Sequence, residues 1–391
     1  MSNPLVYLDN NATTAVAPSV LEAMLPYLRE AYGNPSSMHD FGGRLAKDLD
    51  RARGQLAALI GAHPDEIIFT SCGTESDNAA VASALETQPT KRHLVTTKVE
   101  HPAIINQMSF LQKKGYEITF LDVRPDGVCE PETVRAALRP DTALVSVMWA
   151  NNETGVLMPI DEIAQVVKEK GVLFHTDAVQ AVGKELIDLS KTPVDLLSLS
   201  GHKLHAPKGI GALYLRRGTP FRPYIMGGHQ ENGRRGGTYA VPNIMALGAA
   251  AELAGAHMVE ERRRVTALRD RLEAGLLERI PAVTCLGNPD LRLFNTCTVS
   301  FEFVEGEAIL LLLSEHGICA SSGSACSSGS LEPSHVLRAM GLPFELCHAS
   351  IRFSFSRYNT DADVDRVLEV TPGIIRELRR ISPFTPPELL K

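Results

Sequence analysis

The sequence predicts an α/β fold built on a mostly parallel β-sheet with helices on both of its faces. Short apolar runs alternate with amphipathic helical patterns through the first two thirds of the chain. Such runs are typical of strands buried on both faces, and their alternation with helices is typical of parallel sheets. The predicted strands are Glu66–Thr70, Arg92–Thr97, Tyr116–Leu121, Ala143–Trp149, Val172–His175, Asp195–Leu199 and Gly211–Leu215.

Helical patterns lie between and beyond these strands. Amphipathic stretches predict helices over 103–114, 130–138 and 159–170. A segment rich in Ala, Leu, Glu and Arg, from Val241 to about Ile280, predicts one long helix or two. We expect it to lead to a second, smaller domain, because 391 residues exceed one compact core of ordinary size. The elements predicted there are a strand over 296–303, a helix over 305–316, a strand over 350–355 and a closing helix from about residue 360.

The composition is that of a globular protein that binds neither nucleic acid nor a membrane. Hydrophobic residues make up 44% and charged residues 22% of the chain, and the formal net charge is −7. The basic excess usual in proteins that bind duplex nucleic acid is missing. The longest apolar run, Ala308–Leu313, is far shorter than the ~20 residues that span a bilayer. The first ten residues show no secretion signal pattern, so we expect a cytoplasmic protein.

The cysteines predict reduced thiols, one of which is a candidate nucleophile. They are Cys72, Cys129, Cys285, Cys297, Cys319, Cys326 and Cys347. An odd number without Cys-x-x-Cys pairs fits neither a disulfide framework nor a zinc knuckle. Cys326 lies in a Ser/Gly loop, residues 320–330, where nothing apolar would bury it, so it is either a reactive nucleophile or an ordinary loop cysteine. Cys319 is predicted instead to be a core strand residue.

Polar residues at the ends of predicted strands indicate a cofactor site. Ligands of open α/β sheets bind outside the carboxyl ends of the strands, where such residues converge. Lys203 follows one strand, and a desolvated lysine there could form a Schiff base with a carbonyl cofactor. Asp177 follows another, where it could pair with the ring nitrogen of pyridoxal phosphate, with Gln180 donating to the phenolic oxygen. Taken singly, Lys203 could be a solvated loop lysine and Asp177 a helix cap.

A phosphate site is predicted where the chain passes from the strand ending at Thr70 into a helix. Gly73 and Thr74 would offer the first amides of that helix, with Ser200 and His202 closing from the other side. As a bare pattern this is equally typical of an ordinary N-cap. Neither the G-x-G-x-x-G nor the P-loop pattern occurs in the sequence.

His101 and Arg352 complete the candidates that the residues themselves indicate. The His101 ring either lies over a planar cofactor or caps the helix that begins at Pro102. Arg352 lies on a predicted strand among apolar neighbours, where a guanidinium needs an anion. That anion is either a substrate carboxylate or an internal salt-bridge partner. No metal site is predicted, because His202 and His205 alone are too weak a pair to indicate zinc.

Several strings that carry these residues are spread over almost the whole chain. They are Tyr7–Thr14, Gly33–Ser37, Thr70–Ser76, Glu100–Pro102, Met148–Gly155, His175–Gln180, Ser200–Lys203, Gly227–Gln230 and Ser321–Ser334. In this order they resemble the NifS-type cysteine desulfurases of the class V aminotransferase superfamily, which are fold type I pyridoxal-phosphate enzymes. The resemblance implies a large cofactor-binding domain, residues 15–260, with a mostly parallel seven-stranded sheet. It also implies a smaller α/β domain, residues 1–14 with 261–391, that carries the catalytic cysteine loop at about 320–334.

The resemblance also implies a role for each candidate residue. Cys326, Lys203 and His101 would be catalytic, and the cofactor would be pyridoxal 5'-phosphate. The residues implied to bind the cofactor are Gly73, Thr74, His101, Asn152, Asp177, Gln180, Ser200, His202, Lys203 and Thr238. The residues implied to hold the substrate carboxylate are Asn152 and Arg352, with Asn34 a further candidate.

The reaction implied by the resemblance removes sulfur from L-cysteine. It gives L-alanine and a persulfide on Cys326, which is passed to an iron–sulfur scaffold or another sulfur-acceptor protein. Because Thr238 would contact the phosphate bound by the other subunit, a homodimer is implied, and the NifS type further implies sulfur supply for nitrogenase clusters. The alternatives are a selenocysteine lyase, another class V enzyme such as an aminotransferase, and a non-catalytic sulfur carrier or scaffold partner.

Overall fold

The structure is a computed structural model, and it describes residues 5–322 and 333–390. Its strands are β1 (Val6–Tyr7), β2 (Ile67–Thr70), β3 (His93–Thr97), β4 (Glu117–Leu121), β5 (Thr142–Ser146), β6 (Leu173–Asp177), β7 (Leu196–Ser200), β8 (Gly211–Leu215), β9 (Val283–Cys285), β10 (Thr296–Phe301), β11 (Ile318–Cys319), β12 (Ser321–Ser322) and β13 (Ser350–Ser354). Its α-helices are α1 (Pro18–Arg29), α2 (Asp40–Gly43), α3 (Leu45–Leu59), α4 (Gly73–Glu86), α5 (Pro102–Lys113), α6 (Pro131–Ala137), α7 (Ile160–Glu169), α8 (Val241–Arg279), α9 (Gly306–Glu315), α10 (His335–Ala339), α11 (Phe344–His348) and α12 (Asp361–Ile381).

The central sheet has seven strands in the order β2-β8-β7-β6-β5-β3-β4. β8 runs antiparallel to both of its neighbours, and the remaining pairs are parallel. Because β8 is antiparallel to both β2 and β7, these two strands run in the same direction. The carboxyl ends of β2, β3, β5, β6 and β7 therefore lie at one edge of the sheet.

Alternate strand residues pack into two apolar layers. Ile67 and Phe69 of β2 join a cluster with residues of α1, α3, α7 and α8, whereas Ile68 joins a second cluster with residues of α4 and α5. Leu197 and Leu196 of β7 divide in the same way. Successive side chains of a strand point to opposite faces, and helices cover both faces here. This explains why the strands appear in the sequence as continuous apolar runs.

Helix α8 connects the central sheet to a third apolar cluster. It has 39 residues, about 58 Å at 1.5 Å per residue. Ile244 and Leu247 near its start pack with the central sheet, while Leu268 and Leu272 pack in the third cluster. That cluster also contains residues of α12 and of a four-stranded sheet in the order β12-β13-β10-β9.

The N-terminal segment packs against the C-terminal part of the chain. β1 pairs in parallel with β11, and Val6 and Leu8 join the third cluster. Leu286, Leu293 and Leu337, although late in the sequence, pack with the cluster of the central sheet. The two domains, 15–260 and 1–14 with 261–391, stay a prediction.

The elements predicted from the sequence occur in the structure with small differences at their ends. The run 143–149 forms a strand only to Ser146, although Val147 and Trp149 still donate backbone hydrogen bonds to the carbonyls of His175 and Asp177. The segment from Val241 forms one helix and not two. Among residues 5–322 and 333–390, no helix is both long and apolar enough to cross a membrane.

Candidate functional site

Loops at the carboxyl ends of the strands bring most of the predicted site residues together. The predicted site residues that end or follow β2, β3, β5, β6 and β7 at this edge are Gly73, His101, Asn152, Asp177, Gln180, Ser200, His202 and Lys203. The segments after β2, β6 and β7 meet at Gly73, where a Cβ atom would lie 2.7 Å from Val179 Cγ2 and 3.6 Å from Ser200 Cβ. The parallel strands thus place these side chains at a single edge, as the fold class predicts.

The Lys203 amine is held by the N-terminal segment. Lys203 ends a 3-10 turn, Gly201–Lys203, that directly follows β7. Its Nζ donates to the carbonyl of Asn11 and, at 2.7 Å, to that of Ala12. Carbonyl acceptors carry no full charge, so they orient the amine without stabilising its ammonium form as strongly as a carboxylate would.

Asp177 places a buried carboxylate at the end of β6. Its side chain is 5% exposed, and Oδ1 accepts a 2.9 Å hydrogen bond from the N–H of Val179. This is the local cap contact that the sequence also allowed. Burial raises the pKa of Asp177, while the nearby His101 and Lys203 act in the opposite direction. A buried carboxylate remains ionised only beside a cation, so the position favours a bound cationic group.

A layer of neutral polar groups lies beneath Asp177. The His175 ring contacts Ser146 Oγ through Nδ1 and Ser198 Oγ through Nε2, both at 2.9 Å. Burial lowers the pKa of His175 to about 3, so the ring is neutral. Burial and the neighbouring Asp177 together raise the pKa of Asp77 well above its usual range. Sequence analysis missed Asp77 and gave His175 no role, because both lie inside regular elements without a local signal.

Gln180 is held at both ends of its side-chain amide. Its Nε2 donates to the carbonyl of Asn11 at 2.9 Å, and its Oε1 accepts from Lys184 Nζ at 3.0 Å. The carbonyl of Asn11 thus accepts hydrogen bonds from both Gln180 and Lys203. Sequence analysis noted the string that contains Asn11 without giving it a role, and it missed Lys184, whose spacing of four residues from Gln180 was the available signal.

His101 combines the two interpretations that the sequence offered. Its Nδ1 accepts a 3.1 Å hydrogen bond from the N–H of Ala103, so it caps α5. With Nδ1 as acceptor, the neutral ring carries its proton on Nε2. Burial lowers the pKa of His101, and the charges of Asp177 and Lys203 also act on it. The ring therefore caps the helix and lies near the other candidate residues.

The N-terminus of α4 is the candidate phosphate site. Gly73 and Thr74 are its first residues, and the first amides of a helix have no acceptor within it. His202, which was predicted to close the phosphate site, has its Nδ1 3.1 Å from Thr13 Oγ1. Burial and the neighbouring Lys203 lower the pKa of His202 to about 4, so the ring is neutral. The start of α4 therefore offers backbone N–H donors, and Ser200 is the predicted phosphate residue that lies near it.

Arg352 makes an internal ion pair, one of the two alternatives considered from the sequence. Arg352 is 2% exposed, and its guanidinium donates at 2.8 Å to Asp9 Oδ1 through Nη2 and to the carbonyl of Asn152 through Nη1. Its Nε is buried and has no hydrogen-bond partner within the part of the chain that the structure describes. The substrate roles of Arg352 and Asn152 stay predictions.

Three predicted residues lie apart from this group or outside the description. Asn34 is exposed, and its Oδ1 accepts a local 2.9 Å hydrogen bond from the N–H of Ser36. Thr238 is exposed in a cleft of about 180 Å³ that Ser71 also lines. Cys326 lies outside the described residues, so its position relative to Lys203 stays a prediction.

Two residues of the C-terminal part dock on buried acids near the site, and sequence analysis gave neither of them a role. Ser334 Oγ donates to the Glu153 carboxylate, and His335 Nε2 lies 2.9 Å from the carbonyl of Glu100. Burial raises the pKa of Glu153 to about 7 and that of Glu100 to about 8. Ser334 is therefore anchored on a carboxyl group whose charge depends on pH, whereas the backbone carbonyl that His335 contacts does not titrate.

Comparison with known proteins identifies the family. A family model described as "Aminotransferase class-V" matches residues 6–367. The chain belongs to the class V aminotransferase family. It is similar to "Cysteine desulfurase 2" of Trichormus variabilis, with 60% identity over 381 residues that cover 97% of this chain and 96% of the relative. It is also similar to "Cysteine desulfurase NifS" of Azotobacter vinelandii, with 54% identity over 380 residues that cover 97% and 94% of the two chains.

A solved structure supports the same assignment. A protein described as "NIFS-LIKE PROTEIN" superposes with a TM-score of 0.90 and 39% identity, over 96% of this chain and all of the other. The predicted fold class, a fold type I α/β enzyme with a mostly parallel seven-stranded sheet, is confirmed. The resemblance to the NifS-type enzymes is confirmed as well.

The class V family is dependent on pyridoxal phosphate, and the residues of this chain fit that cofactor. Lys203 offers an amine for the aldehyde, and Asp177 offers a buried carboxylate that needs a cation such as the protonated ring nitrogen. The start of α4 offers amides for the phosphate. A Cβ atom at Gly73 would fill the space between Val179 and Ser200, and the glycine leaves it open.

Proposed function

We propose that the protein is a pyridoxal-phosphate-dependent cysteine desulfurase that converts L-cysteine to L-alanine and places the sulfur on Cys326. One observation carries the proposal: the Lys203 amine, the Asp177 carboxylate and the start of α4 meet at one edge of the sheet. An amine, a carboxylate and a helix N-terminus are the groups that the aldehyde, ring nitrogen and phosphate of this cofactor require. The high identity to proteins named cysteine desulfurase supports the choice of substrate.

Residues of this chain hold the cofactor and move the proton. When bound, pyridoxal phosphate withdraws electrons from the Cα atom of an amino acid. Lys203 attaches the cofactor and then transfers a proton at the substrate Cα, with the carbonyls of Asn11 and Ala12 orienting its amine. Asp177 stabilises the positive charge on the ring nitrogen, and Gln180 donates to the phenolic oxygen.

Arg352 and Asn152 bind the substrate carboxylate in this proposal. The buried Nε of Arg352 is a donor without a described partner, beside an Nη2 that already contacts Asp9. A guanidinium binds a carboxylate through two parallel N–H groups, so the substrate would take Nε and compete with Asp9 for Nη2. This competition makes Asp9 a determinant of substrate affinity.

Cys326 removes the sulfur in this proposal. Its thiolate attacks the substrate sulfur, so that a new S–S bond forms while the C–S bond of L-cysteine breaks. The electron pair of that bond stays on the carbon, which takes up a proton, and the products are L-alanine and the Cys326 persulfide. An aminotransferase would need no cysteine in this Ser/Gly loop, which favours the desulfurase.

Three finer points belong to the proposal. The name NifS of one relative supports sulfur delivery to a nitrogenase cluster scaffold. The exposed Thr238, together with exposed Tyr32, Met38 and Met226, supports a homodimer in which the two chains share each site. Free cysteines support a reducing compartment such as the cytoplasm. Light scattering after gel filtration, which gives the molar mass in solution, tests the dimer.

Mass spectrometry after incubation with L-cysteine, without reductant, tests the proposed reaction. We expect L-alanine and a sulfur adduct on the Cys326 peptide in the wild type, and neither in Cys326→Ala. Cys285→Ala is the matched control, because burial raises the pKa of Cys285 to about 12 and so keeps it unreactive. Alanine without an adduct in either protein would indicate a lyase that releases sulfur directly. No alanine despite bound cofactor would contradict the assigned substrate.

A further inference from the structure

A second lysine lies buried behind the cofactor site. Lys184 is 9% exposed, and its Nζ donates to Gln180 Oε1 at 3.0 Å. It shares the lining of a cavity of about 20 Å³ with Lys203 and Glu261, a volume sufficient for about one water molecule. Because burying an amine costs free energy that a methionine of similar length would avoid, the lysine requires an explanation other than packing.

The contacts of Gln180 provide that explanation. The carbonyl of Asn11 can only accept, so it selects Nε2 of the Gln180 amide. An ammonium group can only donate, so Lys184 selects Oε1 at the other end. In the proposed function Lys203 bonds to the cofactor and Gln180 turns its N–H toward the phenolic oxygen. The contact from Lys184 then keeps the amide from reversing.

Charged groups on several elements act on the Lys184 amine. Burial is the largest influence and lowers its pKa to about 7, and the positive charges of Lys203 and Arg352 act in the same direction. Glu261 on α8 and the adjacent Glu185 raise it. Further charged and titratable neighbours are His202, His205, Arg357 and Arg262, whose guanidinium donates to the backbone carbonyl of Lys184 at 2.9 Å. A neutral amine can also accept, but the carbonyl of Asn11 still requires Nε2 of Gln180, so the amine continues to donate to Oε1 across this range of pH.

We propose that Lys184 is a positioning residue for the cofactor, which fixes the Gln180 amide with its N–H group toward the phenolic oxygen. The inference rests on the proposed function, because it needs a cofactor bound at Lys203. Without the hydrogen bond from Gln180, the phenolic oxygen accepts more strongly from the protonated nitrogen that joins Lys203 to the cofactor, and this stabilises the protonated form. Removal of Lys184 should therefore raise the pKa of that linkage and weaken cofactor binding.

The test uses the holoenzyme and the absorption band of the lysine-bound cofactor, titrated with pH. In Lys184→Met we expect the pKa of this band to rise by about one pH unit and the Kd for pyridoxal phosphate to rise about tenfold, the effects of losing the one hydrogen bond that Gln180 donates to the phenolic oxygen. Lys184→Arg keeps a donor and should retain values close to the wild type. Lys191→Met removes a lysine whose side chain is 83% exposed and is the matched control.

A double-mutant cycle distinguishes an effect of Lys184 that acts through Gln180 from a direct effect of the Lys184 charge on the cofactor. If Lys184 acts through Gln180, Lys184→Met should add nothing to the effects of Gln180→Ala. Equal effects of Lys184→Met with and without Gln180 would overturn the proposal, as would an unchanged band in the single variant. If Lys184→Met fails to fold, as thermal melting would show, the same cycle is run with Lys184→Gln, whose shorter side chain cannot make the contact at the same distance. The proposed function is tested separately: if the wild type forms alanine from L-cysteine, that function stands whichever result the cycle gives.

Discussion

Arg352 and Asp9 form an ion pair where we propose that the substrate carboxylate binds, with 2.8 Å between Nη2 and Oδ1. The Arg352 side chain is 3% exposed, whereas that of Asp9 is 21% exposed. The carboxylate therefore neutralises a buried cation and also occupies one of the two N–H groups that a substrate carboxylate would use.

Asp9→Asn should weaken the fold and strengthen substrate binding. Loss of the charged partner of a buried cation costs about 3 kcal/mol in the free energy of unfolding, which urea titration measures. The KM for L-cysteine should fall several-fold, because the carboxylate of the substrate no longer competes with Asp9. Arg352→Lys, which keeps the charge but loses the planar fork, should raise KM instead. An unchanged KM in both variants would show that Arg352 does not bind the carboxylate of the substrate.

Glu153→Gln should make the stability of the protein less dependent on pH. Burial raises the pKa of Glu153 from 4.5 to about 7 in the folded state. Between these values the unfolded chain loses the proton and the folded chain keeps it, so wild-type stability falls as pH rises. The loss from this one group reaches about 3 kcal/mol. Glutamine keeps an acceptor for Ser334 without the ionisation.

Chemical denaturation at several pH values between 4.5 and 7.5 measures this effect. The stability of Glu153→Gln relative to the wild type should increase across that interval. Ser334→Ala is the companion variant, because it removes the hydrogen-bond donor and also the N-cap contact to Leu337. It should destabilise the protein at every pH. Parallel pH profiles of Glu153→Gln and the wild type would exclude Glu153 as the titrating group.

The sequence predicted the sheet and the strand-end residues because both depend on local patterns. Buried parallel strands appear as apolar runs, and the ends of those runs locate Asp177 and Lys203. In three cases the structure shows the structural alternative, and the functional one stays a prediction. His101 caps α5 and lies near Asp177 and Lys203, and Asp177 accepts from the N–H of Val179. Arg352 has an ion pair and an Nε without a partner among the described residues.

The remaining site residues depend on contacts between distant parts of the chain. Asn11 reaches Gln180 and Lys203 across 169 and 192 positions, and Asp9 reaches Arg352 across 343. Such pairings leave no periodic signal in the sequence, because they arise only when the N-terminal segment packs on the completed sheet. The contacts that the N-terminal segment makes with the site are therefore visible only in the folded structure.

Lys203→Ala should abolish covalent attachment of the cofactor. After borohydride reduction of the holoenzyme, we expect a cofactor adduct on the Lys203 peptide in the wild type and none in the variant. The kcat/KM for L-cysteine should fall by about 10³-fold, within the range for loss of a general acid–base group. Lys208→Ala, an exposed lysine in the same loop, is the matched control and should behave as the wild type. An adduct on another lysine would contradict the assignment of Lys203 as the residue that attaches the cofactor.

Gly73→Ala should weaken binding of the cofactor phosphate. The new Cβ atom would lie 2.7 Å from Val179 Cγ2, closer than van der Waals contact permits, and the start of α4 would have to shift. Loss of one hydrogen bond to a charged phosphate corresponds to at least a tenfold rise in the Kd for pyridoxal phosphate. Absorbance titration of the apoprotein measures this Kd.

Two further variants show whether the steric contact causes the change. In Gly73→Ala with Val179→Ala, the atom that the new Cβ meets is removed, so cofactor affinity should recover. Gly54→Ala, in the interior of α3 where a Cβ meets nothing within 4 Å, should leave the Kd unchanged and raise stability by about 0.5–1 kcal/mol. If the double variant bound no better than Gly73→Ala alone, the space at Gly73 would not be what the phosphate needs.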